Sequence, residues 1–246
     1  YRSLRYLTAP NMVVSDSKNH APGIDNAGPF LMMNPFSSRC CQHNHAAGWV
    51  YYAENSWMAT PDNGLAAQLF VQGSVKAKVG DGQEVQIFES THYPFEETVR
   101  FTVKTAKAVS FPLYLRLPEW CAGPSVKLNG QAVNMHPLPG RYIQLVKKWK
   151  DGDQITLQLP MKIQLREWAK NRNSVSVNYG PLTFSLKMQE VYIKKDSKET
   201  AIEDSRWQAA ADPVKWPSYE IYSGSAWNYG LLLDAKHPEQ SFQVVK

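Results

Sequence analysis

The chain has 246 residues, enough for one large domain or two ordinary ones, and its 27 Lys and Arg residues against 22 Asp and Glu residues give a net charge of +5. The basic residues are interleaved with acidic ones, so this mild charge does not indicate a nucleic-acid-binding protein, and a hydrophobic content of 43% excludes a disordered chain. No apolar run is long enough to span a membrane, and three cysteines are too few for a disulfide scaffold.

Residues 1–43 are predicted to be loop-like because prolines and glycines interrupt them repeatedly. No signal-peptide pattern follows Tyr1, and we expect the chain to begin inside a domain of a longer protein. A helix is predicted next, with Asn44 as its N-cap and with one apolar face made of Ala46, Trp49, Val50, Ala53 and Trp57. The turn residues 61–64 are expected to end this helix.

After Gly64 the spacing of apolar residues changes to that of β-strands. The predicted strands are Leu65–Val71, Ser74–Val79, Glu84–Glu89, Thr98–Lys104, Phe111–Leu117, Ser125–Leu128, Tyr142–Lys147 and Gln154–Leu159. The pairs Asp81-Gly82 and Asn129-Gly130 are typical of tight hairpin turns. Residues 64–160 are therefore predicted to form an antiparallel sandwich that buries Val99, Phe101, Val103, Leu113, Leu115 and Leu117.

A second β segment is predicted to start near Lys162. Its strands are predicted at Ile163–Trp168, Ser174–Tyr179 and Pro181–Lys187. Residues 194–211 are polar and charged, which predicts a loop.

The segment Arg39-Cys40-Cys41-Gln42-His43-Asn44-His45 places two cysteines and two histidines close together. Thiolates and imidazoles are zinc ligands, and a helix N-terminus or a metal ion lowers the pKa of a thiol, so one cysteine could act as a nucleophile. The alternative is that the cysteines are buried small apolar residues with a structural role. On a helix, His43 and His45 would point about 200° apart and could not face one ion.

Other candidate residues are more easily explained as structural. Cys121 is predicted to be a packed thiol, and Trp49 and Trp57 are predicted to lie in the core. A carboxylate pair could be present among Glu89, Glu96 and Glu97 near His92, but these residues are interpreted as solvated charges. A cleft could be lined by Asp16, His20 and Asp25 in the opening loop, but these residues are interpreted as solvated as well.

Five segments resemble glycoside hydrolase family 127, the β-L-arabinofuranosidase-like proteins, in the same order. They are RCCQHNHAAGWVYYAENSW, ATPDNGLAAQLF, ESTHYPFEETVRFTV, FPLYLRLPEWC and SVNYGPLTFSL. The resemblance implies a mainly β chain with two β-sandwich domains after the last helical part of an (α/α)6 barrel. It places the end of the barrel at residues 1–63, the first sandwich at 64–160 and the second, complete or partial, at 161–246.

The family resemblance also implies a mechanism. Members use a zinc-bound cysteine thiolate as nucleophile and a glutamate as acid and base, with retention of configuration. On the matching positions, Cys40 is the candidate nucleophile and zinc ligand, and Cys41 is a second zinc ligand. The remaining zinc ligands and the glutamate lie upstream in the family, and no third cysteine precedes Cys40, so the isolated chain is expected to be inactive.

The leading hypothesis is therefore the C-terminal portion of a retaining glycoside hydrolase of the β-L-arabinofuranosidase type. The alternative is a non-catalytic carbohydrate-binding or structural β-sandwich fragment. The expected partner is a carbohydrate, without nucleic acid or membrane, and self-association is left open. Glycan breakdown favours the periplasm or the cell exterior, whereas free thiols favour a reducing compartment.

Overall fold

The computed structural model of the chain describes residues 14, 39–134, 138–195 and 218–245, and for residues 39–43, 195 and 218 it describes the backbone alone. The chain divides into two compact units. One contains Val50–Ser185 and Leu232–Lys246, and the other contains Tyr1–Trp49 and Leu186–Leu231. The predicted domain boundaries after residues 63 and 160 stay a prediction.

The described residues are mainly β-structure, as predicted. One α-helix, α1, spans Arg39–Glu54, and short 3-10 helices occupy Ala169–Asn171 and Pro238–Gln240. Fifteen strands are described: β1 Trp57–Ala59, β2 Leu65–Ala67, β3 Gly73–Val79, β4 Gln83–Thr91, β5 Thr98–Thr105, β6 Val109–Arg116, β7 Ser125–Leu128, β8 Gln131–Ala132, β9 Tyr142–Trp149, β10 Gln154–Gln158, β11 Ile163–Trp168, β12 Ser174–Tyr179, β13 Leu182–Phe184, β14 Glu190–Lys195 and β15 Ser218–Ser223.

Two sheets form a β-sandwich within the larger unit. The first sheet has the strand order β1-β2-β6-β9, and the second has the order β3-β4-β5-β10-β7-β8. Their facing side chains form one hydrophobic core, which includes Phe101 and Trp149. All six residues predicted to be buried here are fully buried, because strict alternation puts every second residue of β5 and β6 on the inner face.

The prediction of a wholly antiparallel sandwich is wrong for one strand pair. β2 runs parallel to β6, with Leu65 opposite Leu113 and Ala67 opposite Leu115. Parallel neighbours need a long connection, and here β3, β4 and β5 of the other sheet lie between the two strands in sequence. The two predicted hairpins are confirmed, since antiparallel pairs flank Asp81-Gly82 and Asn129-Gly130.

The junction between the second and third sheets is held by several contacts. The carboxylate of Glu97 accepts hydrogen bonds from the Met161 backbone N–H at 2.9 Å and from Nε2 of Gln158 at 3.3 Å. The Met161 side chain then packs on Gly180, where an added Cβ would lie 2.6 Å from Cγ of Met161. Gly180 also has a φ of +56°, so glycine is required there on two counts.

The third sheet, β11-β12-β13, is antiparallel and follows the predicted second β segment closely. In the smaller unit, β14 pairs with β15, with Tyr192 opposite Ile221. These two strands were not predicted, because residues 194–195 are lysines and the sequence beyond them lacks a clear alternation. Residues 196–211 of the predicted polar loop lie outside the described residues.

Candidate functional site

Cys40 and Cys41 lie in the first turn of α1, because the helix begins at Arg39. The prediction that Asn44 caps the helix is wrong, since Asn44 lies inside it. A helix N-terminus has unpaired N–H groups and a positive dipole end, both of which favour a thiolate. The nucleophile and zinc-ligand roles of the two cysteines stay predictions, because their side chains are outside the described part.

Positions 43 and 45 of the same segment lie on different sides of the α1 backbone. Positions 43 and 45 are both helical, and positions two apart in a helix are separated by about 200°. His45 is exposed, and its ring meets the Trp49 ring edge-on at a centroid distance of 6.4 Å. The helical backbone therefore argues against one ion shared by both histidines.

The predicted core role holds for one tryptophan and not for the other. Trp57 packs against the sandwich core and meets the Phe101 ring edge-on at 5.7 Å. The prediction is wrong for Trp49, which is 56% exposed, as is Val50 at 55%. Ala46 and Ala53 are exposed as well, so the predicted apolar face of the helix does not lie in the core.

The end of α1 is tied to the sandwich within the larger unit. The hydroxyl of Tyr52 donates to the carbonyl oxygen of Phe70 at 3.2 Å. The carbonyl oxygen of Ser56 accepts from the backbone N–H of Gln68 at 2.8 Å. Burial raises the pKa of Tyr52, and nearby Glu89 raises it further. These contacts fix where the helix leaves the sandwich.

Glu89 was interpreted as a solvated charge, and this prediction is wrong, because its side chain is only 2% exposed. One carboxyl oxygen accepts from the Val71 backbone N–H at 3.0 Å, and the other has no hydrogen-bond partner among the described residues. Burial raises the pKa of Glu89 to about 8, and the Val71 backbone N–H and the Trp57 indole oppose this rise.

The chain is expected to lose stability as pH rises from about 4.5 to about 8 because of Glu89. In this range the unfolded chain releases a proton that the folded chain keeps, since burial raises the pKa of Glu89 from 4.5 to about 8. Glu89→Gln removes the ionisable group and with it this loss of stability. We expect the variant to be more stable than the parent chain at pH 8 by roughly 1 to 3 kcal/mol, with little difference at pH 4.5. Urea denaturation of both proteins at the two pH values measures this difference.

Glu84→Gln is the matched control, since Glu84 lies on the same strand, is exposed and pairs with Lys76 at 2.9 Å. It is expected to change stability by less than about 1 kcal/mol at either pH. An equal effect of Glu89→Gln at pH 4.5 and pH 8 would show that Glu89 is not protonated in the fold.

The other two glutamates of this region have separate partners. Glu96 contacts Nδ1 of His92 at 3.2 Å on the surface, while Glu97 holds the Met161 junction. No hydrogen bond among the described residues joins two of the three glutamates, so the region does not form a carboxylate pair. Asp16, His20 and Asp25 lie outside the described residues.

Cys121 is a packed thiol, as predicted. It is fully buried, and its Sγ lies 3.9 Å from the carbonyl oxygen of Pro160. Burial raises the pKa of this thiol, which disfavours the nucleophilic thiolate. Cys121 is therefore a structural residue.

A cleft of about 530 Å³ opens on the outer face of the first sheet. Its lining includes Met58, Asp62, Gln68, Tyr114 and Tyr142 around Ala66. Strand pairing places Met58, Ala66, Tyr114 and Gln144 in one row across the sheet. Ala66 is the smallest side chain of this row, so the sheet surface is lowest there.

The polar groups of the cleft are connected. The Tyr114 hydroxyl donates to Oδ2 of Asp62 at 2.6 Å and accepts from Nε2 of Gln144 at 2.6 Å. Thr60 donates to the other Asp62 oxygen, and Tyr142 donates to Oε1 of Gln68. The Thr60 and Tyr114 hydroxyls lower the pKa of Asp62, and the bond to Asp62 raises the pKa of Tyr114.

The cleft could not be predicted from the local sequence. Its residues come from β1 and the β1–β2 turn, from β2 and the residue after it, and from the distant strands β6 and β9, so no local motif brings them together. The signal that could have indicated it is the outward-facing tyrosine on both β6 and β9.

No described residues form a group of three or more His, Cys, Asp or Glu side chains that could hold a metal ion. No helix in the described part of the chain is long and apolar enough to cross a membrane.

Comparison with known proteins agrees with the β architecture. Residues 64–161 match the family model described as the beta-L-arabinofuranosidase GH127 middle domain. The chain is similar to the structure of a GH127 beta-L-arabinofuranosidase from Geobacillus stearothermophilus T6, at 22% identity and a TM-score of 0.56, over 78% of this chain and 36% of that one. No match was found among the curated proteins.

A second solved structure, described as a glycoside hydrolase, is similar at 21% identity and a TM-score of 0.59, over 87% of this chain and 41% of that one. The chain thus spans less than half the length of either structure. At these identities the similarity establishes the fold.

Proposed function

We propose that the chain is the C-terminal portion of a retaining glycoside hydrolase of the β-L-arabinofuranosidase type, because residues 64–161 match the family model of the GH127 middle domain. The single observation that carries the proposal is this domain match, with the vicinal cysteines placed in the helix that precedes it. The coverage of the two similar structures supports a larger polypeptide around the chain.

Cys40 is proposed as the nucleophile that attacks the anomeric carbon, and Cys40 and Cys41 as zinc ligands. Their donor chemistry fits zinc, which favours thiolates, although a closed tetrahedral site needs four ligands and these residues supply two. When bound, zinc would keep the attacking sulfur ionised. The first turn of α1 adds a positive dipole end to the same position.

The proposal also explains why two adjacent thiols lie at the start of the helix that precedes the sandwich in the sequence. A non-catalytic carbohydrate-binding or structural fragment has no need for two thiols there. For the compartment, we propose the periplasm or the cell exterior, because glycans are broken down there.

The direct test is hydrolysis of aryl β-L-arabinofuranosides by the full-length polypeptide, with aryl α-L-arabinofuranosides and aryl β-D-galactosides as comparison substrates. Turnover of the β-L-arabinofuranoside with retained configuration in the first-formed product, read by NMR, supports the proposal. An inverted product or turnover of the comparison substrates alone would contradict it.

The chain of residues 1–246 alone is expected to show no turnover and poor zinc retention. Removing parts of a catalytic unit that act together removes nearly all activity, and two thiolates leave a tetrahedral zinc site incomplete. The measurements are initial rate and zinc per chain after gel filtration, beside the full-length protein purified in the same way. Normal turnover by the chain alone would show that the acid, the base and the missing ligands lie within it.

A further inference from the structure

We propose that the cleft on the outer face of the first sheet is a carbohydrate-binding subsite that holds one or two neutral sugar units. No comparison assigns a role to this cleft. The choice of a sugar as ligand rests on the proposed function, but the site does not depend on catalysis by Cys40.

The size of the cleft fits a small ligand. A volume of about 530 Å³ lies within the range of roughly 300 to 1,000 Å³ that is typical of small-molecule sites. Ala66 forms the low point, because the Met58 and Tyr114 side chains on either side of it are much larger. The cleft is thus a depression of the sheet surface and not a gap between loosely packed elements.

The lining has the two kinds of surface that a sugar ring presents. Met58, Tyr114 and Tyr142 supply apolar and aromatic surface for the C–H groups of the ring. Asp62 already accepts from Thr60 and Tyr114, but two carboxylate oxygens have about four acceptor positions, so the carboxylate can accept from sugar hydroxyls as well.

Hydrogen bonds within the lining hold these groups in place before a ligand arrives. Tyr114 is fixed between Asp62 and Gln144, and the carbonyl oxygen of the Gln68 side chain is held by Tyr142. No described residue accepts from the Gln68 amide N–H groups, which are therefore available as donors. Preorganised groups lower the entropic cost of binding.

The charge and the hydrogen-bonding groups of the lining argue against anionic and cationic ligands. It contains a carboxylate and no Lys, Arg or His, so a phosphate or a carboxylate ligand would be repelled. An organic cation would be attracted to Asp62 and the tyrosines, but it could not use the amide groups that converge there. A neutral ligand rich in hydroxyls matches all of these groups.

The test is an NMR titration of the isotope-labelled chain with L-arabinose, D-galactose and cellobiose, and with choline as the cationic probe. At least one sugar is expected to bind with a millimolar dissociation constant and to shift the amide signals of the cleft lining. Failure of all three sugars at tens of millimolar, shifts confined to other surfaces, or tighter binding of choline would overturn the proposal.

Two variants of different kinds locate the site. Asp62→Asn removes the charge, and Ala66→Leu fills the low point without removing a hydrogen-bonding group, and each is expected to weaken sugar binding at least tenfold. Val146→Ser is the matched control, since Val146 is 72% exposed on the outer face of β9 outside the cleft, and it should bind normally. Unchanged binding in both cleft variants, with native-like spectra, would refute the assignment.

This experiment separates the subsite from the proposed function. Sugar binding in the cleft without hydrolysis by the full-length protein would leave the subsite and remove the enzymatic proposal. Hydrolysis by the full-length protein without sugar binding in the cleft would support the enzymatic proposal and overturn the subsite.

Discussion

If Cys40 is the nucleophile, as we propose, its replacement by serine in the full-length polypeptide is expected to abolish turnover and to leave the fold intact. The serine hydroxyl is nearly the same size as the thiol, but it is far less acidic, so a neutral alcohol would replace the attacking thiolate. We expect the rate to fall on the order of 10³-fold or more. Initial rates on an aryl β-L-arabinofuranoside, together with the circular dichroism spectrum, measure the two effects.

Cys41→Ser is expected to lose zinc and activity together, because it removes a ligand and not the attacking atom. Cys121→Ser is the control: Cys121 is a buried thiol on the sandwich, so its variant should keep both its metal and its turnover. If Cys40→Ser retains the normal rate, the thiolate mechanism is wrong, and the cysteine pair has a structural role.

Phe101→Ala is expected to destabilise the chain by about 3 to 5 kcal/mol. The Phe101 ring is completely buried in the sandwich core, where it meets the Trp57 ring at 5.7 Å and the Phe70 ring at 6.4 Å. Truncation removes these contacts and leaves a cavity that the rigid sheets cannot close. Urea denaturation followed by tryptophan fluorescence measures the loss.

Phe88→Ala is the matched control on the neighbouring strand. Phe88 is 43% exposed on the opposite face of the same sheet, so its truncation should cost less than about 1 kcal/mol. Equal losses of stability in the two variants would show that the two faces of this sheet do not differ in burial.

Local alternation was enough to predict eight of the ten sandwich strands. It did not predict β8, which has only two residues, or β1, where Trp57 was expected on the face of a helix that in fact ends at Glu54. In β5, Val99, Phe101 and Val103 are every second residue, and burying one of them requires burying all three. The same rule should have predicted Glu89, which follows Val85 and Ile87 at the same spacing on β4. The position of Glu89 on the inner face of β4, and not its charge, decides its burial.

Features that depend on distant residues could not be predicted from local patterns. The parallel pairing of β2 with β6 is set by how the chain crosses between sheets, and α1 begins five positions before Asn44 although asparagine is a favourable cap. The cleft requires a turn, two strands and one small residue at the right register. The paired cysteines could be identified from the sequence because they are adjacent in the chain.

The crossing at Met161 has a mechanical consequence. The backbone N–H of Met161 donates a hydrogen bond to the carboxylate of Glu97, the residue before β5. The Met161 side chain fills the space that Gly180 leaves open. A force applied to the third sheet would therefore be transmitted through these two contacts to the residues just before β5. We therefore expect the junction to be rigid, and we expect proteases that cleave flexible linkers not to cleave the chain between Leu159 and Ile163.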